Sequence, residues 1–322
     1  MWNYLKKILL CIFFLAQTNF SFASENVLDH LKDSHEWHLT TINDKPVVIP
    51  LPIILLSKDR YVECFLSCNF YDKNHNLVPY KGYELIHDKI VPMDKSREII
   101  DLSFTKNLAA MLLSVIILFA ILLSNGKWYK SHSYKDTPRG LVGAVEMLIL
   151  YIRDEIAVPN IGREKSEKFM PYLLTIFFFI WLNNMLGLLP GSANVTGCAS
   201  IALCLAIFTF ITTSINGTKH YWAHTFTPHV PKFLWPIMVP IEIVGLFTKP
   251  ITLMLRLVAN ISSGHIIMIS LVNFVFLFHS IGVGIGTVAM GTFMIILKLL
   301  VCFIQAYVFT LLSSIYIGDA VK

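Results

Sequence analysis

Residues 240–265 read PIEIVGLFTKPITLMLRLVANISSGH. The stretch is apolar enough to sit in lipid, yet Glu242, Lys249, Arg256 and Ser263 recur in it at intervals of seven. Seven residues turn an α-helix by about 700°, some 20° short of two turns, so these four make one slowly drifting polar stripe. Asn260, one turn beyond Arg256, joins it. His265 falls about 180° away from Arg256 and roughly 13 Å along the axis, in a different environment. A charge near mid-membrane costs several kcal/mol unless solvated or paired, so a stripe of this kind marks function by default. Pro250 is expected to kink the helix and distort the register.

The rest of the chain agrees with a membrane setting. Of 322 residues, 55% are hydrophobic and 15% charged, and the mean hydropathy is +0.62. A soluble domain carries about 25% charged residues, so a single soluble globular domain is excluded. Disorder is excluded by the same hydrophobicity. The net charge is +5, but no Lys/Arg block has the density or aromatic interleaving of a nucleic-acid footprint. In a membrane protein such an excess reflects cytoplasmic loops that hold topology.

The fold class expected is an all-α polytopic membrane protein. About five transmembrane helices are predicted, the last two long and tilted, with a small exported N-terminal domain containing some β structure. Residues 1–24 read as a signal peptide: Lys6 and Lys7, an apolar core from Ile8 to about Ala16, then Ser21 and Ala23 as a small-x-small site. An uncleaved first helix is the alternative. Residues 25–106 are the exported (periplasmic) domain, with strands expected at 46–51 and 62–65 and a turn at 72–76. Pro46 and Pro50 confine the first run to a sheet edge. Cys64 and Cys68 either pair or remain free thiols, and the histidines here lack metal-ligand spacing.

Residues 107–322 form the membrane domain. Spans are expected near 107–124, 170–189, 197–215, 236–280 and 285–317. A polar, Lys/Arg-rich loop follows the first, and a helix near 140–158, charged on one side, suits the membrane surface. PGSANVT joins the second and third spans, and GVGIG at 282–286 reads as the turn before the last. Lys298 and Gln305, seven apart, share a face of the final helix, and Asn183 and Asn184 precede the hairpin exit at Pro190. No nucleophile–base pair, phosphate loop or metal set is present among these residues, so neither cofactor nor metal is expected. An intramembrane arginine with amides, a histidine and few acids is a path for an ion. The rival classes are a secondary transporter, which would favour inverted repeats, and a scaffold, which leaves the arginine stripe without a purpose.

The runs LMLRLVANISSGHIIM and FIQAYVFTLLSSIY, and the hairpin LTIFFFIWLNNMLGLLPGSANVTG, resemble subunit a of F-type ATP synthase. The resemblance covers roughly residues 138–319 in the family's order and spacing. It implies a stator subunit beside a rotating ring of c subunits, with two offset half-channels leading protons to and from a carboxylate on each c subunit. Arg256 matches the essential arginine, Asn260 the amide one turn later, His265 an inlet position, Gln305 the glutamine opposite the arginine, and Asn184 an inlet amide. Glu242 and Lys249 match polar positions toward the inner side, Glu242 as a candidate exit-channel residue.

The sequence departs from the family at Lys298, where Glu or His is usual, and at Gly187, where some members are acidic. Either water and His265 carry the proton, or Lys298 is neutral when buried, or it snorkels to the surface. The implied partners are the c ring, the b subunits of the peripheral stalk, the whole ATP synthase and the lipid bilayer, with no nucleic acid. The implied location is a bacterial inner membrane, N-terminal domain periplasmic and C-terminus cytoplasmic. No covalent catalysis is expected of the chain itself.

Overall fold

A computed structural model describes residues 35–42, 45–57, 62–72, 77–86, 89–93, 99–131, 138, 140–188, 195–226, 235–278 and 281–321. The segment read as a signal peptide and most of the 72–76 turn lie outside these residues. The chain divides into two compact units. One holds the N-terminal segment through Leu113 with residues 186–195 and 269–292; the other holds residues 114–185, 196–268 and 293–322.

The first unit begins with seven strands: β1 (Glu36–Ile42), β2 (Lys45–Pro50), β3 (Pro52–Ser57), β4 (Val62–Leu66), β5 (Tyr83–Ile86), β6 (Lys89–Pro92) and β7 (Ile99–Asp101). They pair as an antiparallel β1–β2 ribbon, a three-stranded sheet in the order β4-β3-β7, and a β5–β6 hairpin. Among the described residues β2 pairs only with β1, in keeping with a strand bearing Pro46 and Pro50. Alternation along β3 sends Ile53 and Leu55 into a core with Phe65, Phe70, Tyr83, Leu85 and Ile90. Ser67 ties the start of β3 to the end of β4: its N–H donates to Leu51 O at 3.0 Å and its Oγ accepts from Leu51 N at 3.1 Å. Cys64 and Cys68 are both free and exposed.

The helices follow: α1 (Lys106–Ser131), α2 (Leu141–Tyr151), a π-helical turn (Ile152–Ala157), α3 (Val158–Ile161), α4 (Arg163–Leu186), α5 (Ala199–Ile215), α6 (Lys219–Phe226), α7 (Trp235–Phe278) and α8 (Ile281–Val321). Among the described residues four helices are long and apolar enough to cross a membrane, from α1, α4, α7 and α8, and α5 is a shorter apolar helix. The protein is thus mostly helical and polytopic, with strands confined to its N-terminal part.

Several boundaries differ from the sequence reading. α1 continues through Ser131 into the polar stretch expected to be loop, because helical hydrogen bonds are local and Trp128, Tyr129 and Lys130 suit an interfacial turn. GVGIG at 282–286 is not a turn: α8 already begins at Ile281. Glycine weakens a helix in water, but lipid leaves the backbone no other partner for its polar groups. α7 runs unbroken through Pro240 and Pro250.

The second unit has one main apolar core. α4 contributes Ile176, Phe177 and Ile180, α5 Ala202 and Ala206, α7 Leu253 and Leu257, and α8 Ala306 and Phe309. The π turn adds Ile152 and Ile156, both fully buried, while Arg153, Asp154 and Glu155 between them are exposed. A π turn frees a carbonyl from regular pairing. Ile156 O accepts from Ser314 Oγ of α8 at 3.0 Å and from Asn160 Nδ2 at 2.8 Å. The C-terminal carbonyls of α8 are capped from elsewhere: Thr218 N–H donates to Ala320 O at 2.9 Å and Lys165 Nζ to Val321 O at 2.8 Å.

Candidate functional site

The second unit contains all the candidate ion-path residues: Asn184, Glu242, Lys249, Arg256, Asn260, His265, Lys298 and Gln305. α7 is oriented by Leu253 and Leu257, which are 1% and 0% exposed. That rotation turns Arg256 outward, where it is exposed among Phe247, Ile251 and Leu255, all exposed too. No carboxylate pairs with Arg256 among the described residues. An unpaired guanidinium on an apolar surface is costly in lipid, which marks the position as functional.

One turn on, Asn260 Nδ2 donates to Gln305 Oε1 of α8. Gln305 is 3% exposed, and its Nε2 is buried without a hydrogen-bond partner. Three residues earlier on α8, Cys302 meets the end of α4. Asn184 Nδ2 donates to Cys302 O at 3.4 Å, and Cys302 Sγ donates to Asn184 O at 3.6 Å. Thr196 Oγ1 donates to Asn184 Oδ1 at 2.6 Å. Asn183 spends its Nδ2 on Phe179 O and leaves Oδ1 buried without a partner. One turn earlier again, the Lys298 stem lies across Gly264 of α7: a Cβ at Gly264 would stand 3.0 Å from Lys298 Cε. Asn184, Lys298, Gln305 and Asn260 therefore belong to one polar seam where α4, α7 and α8 meet, with Asn184 and Gln305 buried, Lys298 half-buried and Asn260 exposed. His265 follows Gly264 on α7, and its side chain lies outside the described residues.

A second polar group lies on the other side of Arg256. Lys249 Nζ sits over the Tyr316 ring, 5.0 Å from its centroid. Tyr316 also lies within reach of the charges of Arg256 and Asp319. Tyr221 of α6 feels Asp319 and Glu242, and burial first, then those two acids, raise its pKa above the ordinary phenol value. Thr209, Thr213, Tyr221, Lys249 and Tyr316 line a pocket between α5, α6, α7 and α8. From Glu242 to Asn260 along α7 is about 27 Å at 1.5 Å per residue, close to the thickness of a bilayer's hydrocarbon core.

Comparison with known proteins decides the family. The model of the ATP synthase A chain family matches residues 108–318. The chain is 41% identical over 225 residues to ATP synthase subunit a of Chloroherpeton thalassium, covering 69% of this chain and 67% of that one. It is 40% identical over 227 residues to ATP synthase subunit a of Myxococcus xanthus, covering 69% and 74%. With ATP synthase subunit a of Chlorobium phaeobacteroides the identity is 43% over 224 residues, covering 68% and 66%.

The chain belongs to the ATP synthase subunit a family. The match to subunit a begins just inside α1, and residues 26–110 instead match a domain of unknown function, DUF8433. Within the subunit a portion, the structure gathers Asn184, Lys298, Gln305 and Asn260 on one side of Arg256. It sets Lys249 over Tyr316, and Glu242 near Tyr221, on the other. Sequence reasoning did not single out Thr196, Tyr221, Tyr316 or Asp319. Tyr316 had a signal: eleven residues after Gln305 is about three turns, on the same face. Thr196, Tyr221 and Asp319 had none, because only the packing of other elements brings them in. No group of three His, Cys, Asp or Glu side chains able to hold a metal occurs among the described residues.

Proposed function

We propose that the two polar groups flanking Arg256 are offset half-channels, and that Arg256 faces the carboxylates of a c ring from between them. As a member of the subunit a family the chain is the proton-translocating stator subunit of ATP synthase. The observation that carries the half-channel reading is the unpaired guanidinium of Arg256, exposed on an apolar helix face between the Asn260–Gln305 amide pair and a tyrosine-lined pocket.

A ring carboxylate facing lipid is protonated, because a bare charge there is expensive. Beside a fixed guanidinium it prefers to be ionised, since a neighbouring opposite charge lowers a carboxyl pKa by about 1–3 units. Arg256 suits this role because arginine stays charged and presents a planar fork. It strips the proton from the arriving carboxyl, and its positive charge blocks a direct leak between the half-channels. Asn260, Gln305, Asn184, Lys298 and His265 line the inlet, with Lys298 in the position that usually carries Glu or His. Glu242 and Lys249 line the exit with Tyr316. Each charge crossing 100 mV contributes about 2.3 kcal/mol, which rotation delivers to a remote catalytic sector. The chain makes no covalent bond itself. It sits in a bacterial inner membrane against the c ring and the b subunits of the peripheral stalk. Residues 1–24 direct the 25–106 domain to the periplasm and the C-terminus is cytoplasmic.

The test is ATP-driven proton uptake in inverted membrane vesicles, wild type against Arg256→Ala, with assembly confirmed on a native gel. Loss of uptake with the complex intact is the expected result. Uptake unchanged in the intact complex overturns the assignment.

A further inference from the structure

We infer that the outer face of the β4-β3-β7 sheet rests on the lipid bilayer surface next to the root of α1. β3 is apolar on both faces, the pattern of a strand covered on both sides. Its inner face is covered by the domain core, where Ile53 and Leu55 are 0% and 1% exposed. On the other face, register sets Ile54 opposite Cys64 and Leu56 opposite both Val62 and Ile100. Val62, Leu66, Ile100 and Leu102 stand 63%, 47%, 60% and 58% exposed. Glu63 and Asp101, the charged residues of β4 and β7, pair with Leu55 and so point to the opposite face. The result is a contiguous apolar surface of a kind that marks an interaction.

Continuity with the membrane-spanning helix names the occupant. The ladder extends past β7, with Leu102 N–H donating to Ile54 O at 3.0 Å and Phe104 N–H to Pro52 O at 3.1 Å. α1 starts at Lys106, so the chain from Leu102 reaches it within about 14 Å even when fully extended. The first turns of α1 carry Leu112 and Leu113, 42% and 43% exposed. The apolar sheet face and the exposed apolar turns of α1 are thus joined by only a few residues of chain. The face has two ends relative to α1. Its near end, beside Phe104, carries Pro52 and Leu66. Its far end carries Leu56 and Val62. A bilayer interface accepts an uncharged apolar face without specific hydrogen bonds.

The experiment uses the full chain in assembled ATP synthase, reconstituted in phosphatidylethanolamine/phosphatidylglycerol vesicles containing a phosphatidylcholine with an acyl-chain nitroxide near the headgroup. A polarity-sensitive fluorophore is placed on single cysteines: native Cys64, Leu66→Cys, Val62→Cys, and Glu84→Cys on the outer side of the β5–β6 hairpin. Assembly on a native gel qualifies each variant, and native Cys64 needs no substitution on the face. The expected result is lipid quenching in the order Leu66→Cys, Cys64, Val62→Cys, with Glu84→Cys unquenched by lipid and open to aqueous iodide. Three results overturn the inference. Face probes as open to iodide as Glu84→Cys show a bare surface. Face probes shielded from both quenchers show a protein cover. A Cys64–Cys64 cross-link between chains shows a second copy.

Discussion

Gly318 shows how closely the second unit is assembled. A Cβ there would collide with the backbone carbonyl of Asn160, which cannot swing away as a side chain can. Gly318→Ala therefore has to push α8 off α3, and overpacking of this kind costs roughly 1–3 kcal/mol. The expected outcome is a lower thermal midpoint of the purified complex or less of it assembled. Gly264 is the contrasting case. A Cβ there meets Lys298 Cε at 3.0 Å, the far end of a flexible side chain. Gly264→Ala is expected to leave assembly on a native gel unchanged, displace the Lys298 ammonium, and lower ATP-driven proton uptake. Uptake equal to wild type would separate Lys298 from the ion path. The Asn260–Gln305 pair makes a third case: Gln305→Leu removes the acceptor of Asn260. Asn260 is exposed and can turn to other partners, so the loss is that of an ordinary hydrogen bond, about 0.5–1.5 kcal/mol, and ATP-driven uptake is expected to fall more than stability.

Elements respond to conditions as well as to substitution. On β1, burial pushes the Glu36 carboxyl up to about 7 from 4.5. The folded state then binds more protons than the unfolded state between those two values. The stability gradient with pH follows the protons bound unfolded minus those bound folded, which is negative there. The β1–β2 ribbon should be firmest at and below about pH 4.5, weaken as pH rises toward 7, and stay level above that. Because Glu36 is only half-buried, solvent screening limits the effect to about 1–2 kcal/mol. Hydrogen exchange of the β1–β2 amides in the full chain, corrected for intrinsic pH dependence, is the measurement. Glu36→Gln should remove the slope. The π turn between α2 and α3 is another element whose behaviour comes from packing, since Ile156 O is claimed by Ser314 of α8. Nothing local to residues 152–157 signalled it, and the sequence reading saw one surface helix over 140–158.

Across the whole molecule, legibility followed the range of the physics. The fold class and the polytopic helices were readable because lipid imposes length and apolarity on each helix separately. The stripe of Glu242, Lys249, Arg256 and Asn260 was readable because helical geometry alone puts them on one side. Helix ends were read less well: the polar end of α1 and the glycines of α8 are helical because the backbone has no better partner, which composition does not report. The sequence by itself thus determined a family of long lipid-soluble helices with a charge too expensive to be accidental. Only the tertiary structure decided which amides meet across helices, that Thr196 holds Asn184, and that Tyr316 and Tyr221 stand near Lys249 and Glu242. It also decided that β3 keeps one apolar face uncovered. The reason is the same in each instance: periodicity specifies a face, but what that face meets depends on elements up to 158 residues away in the chain.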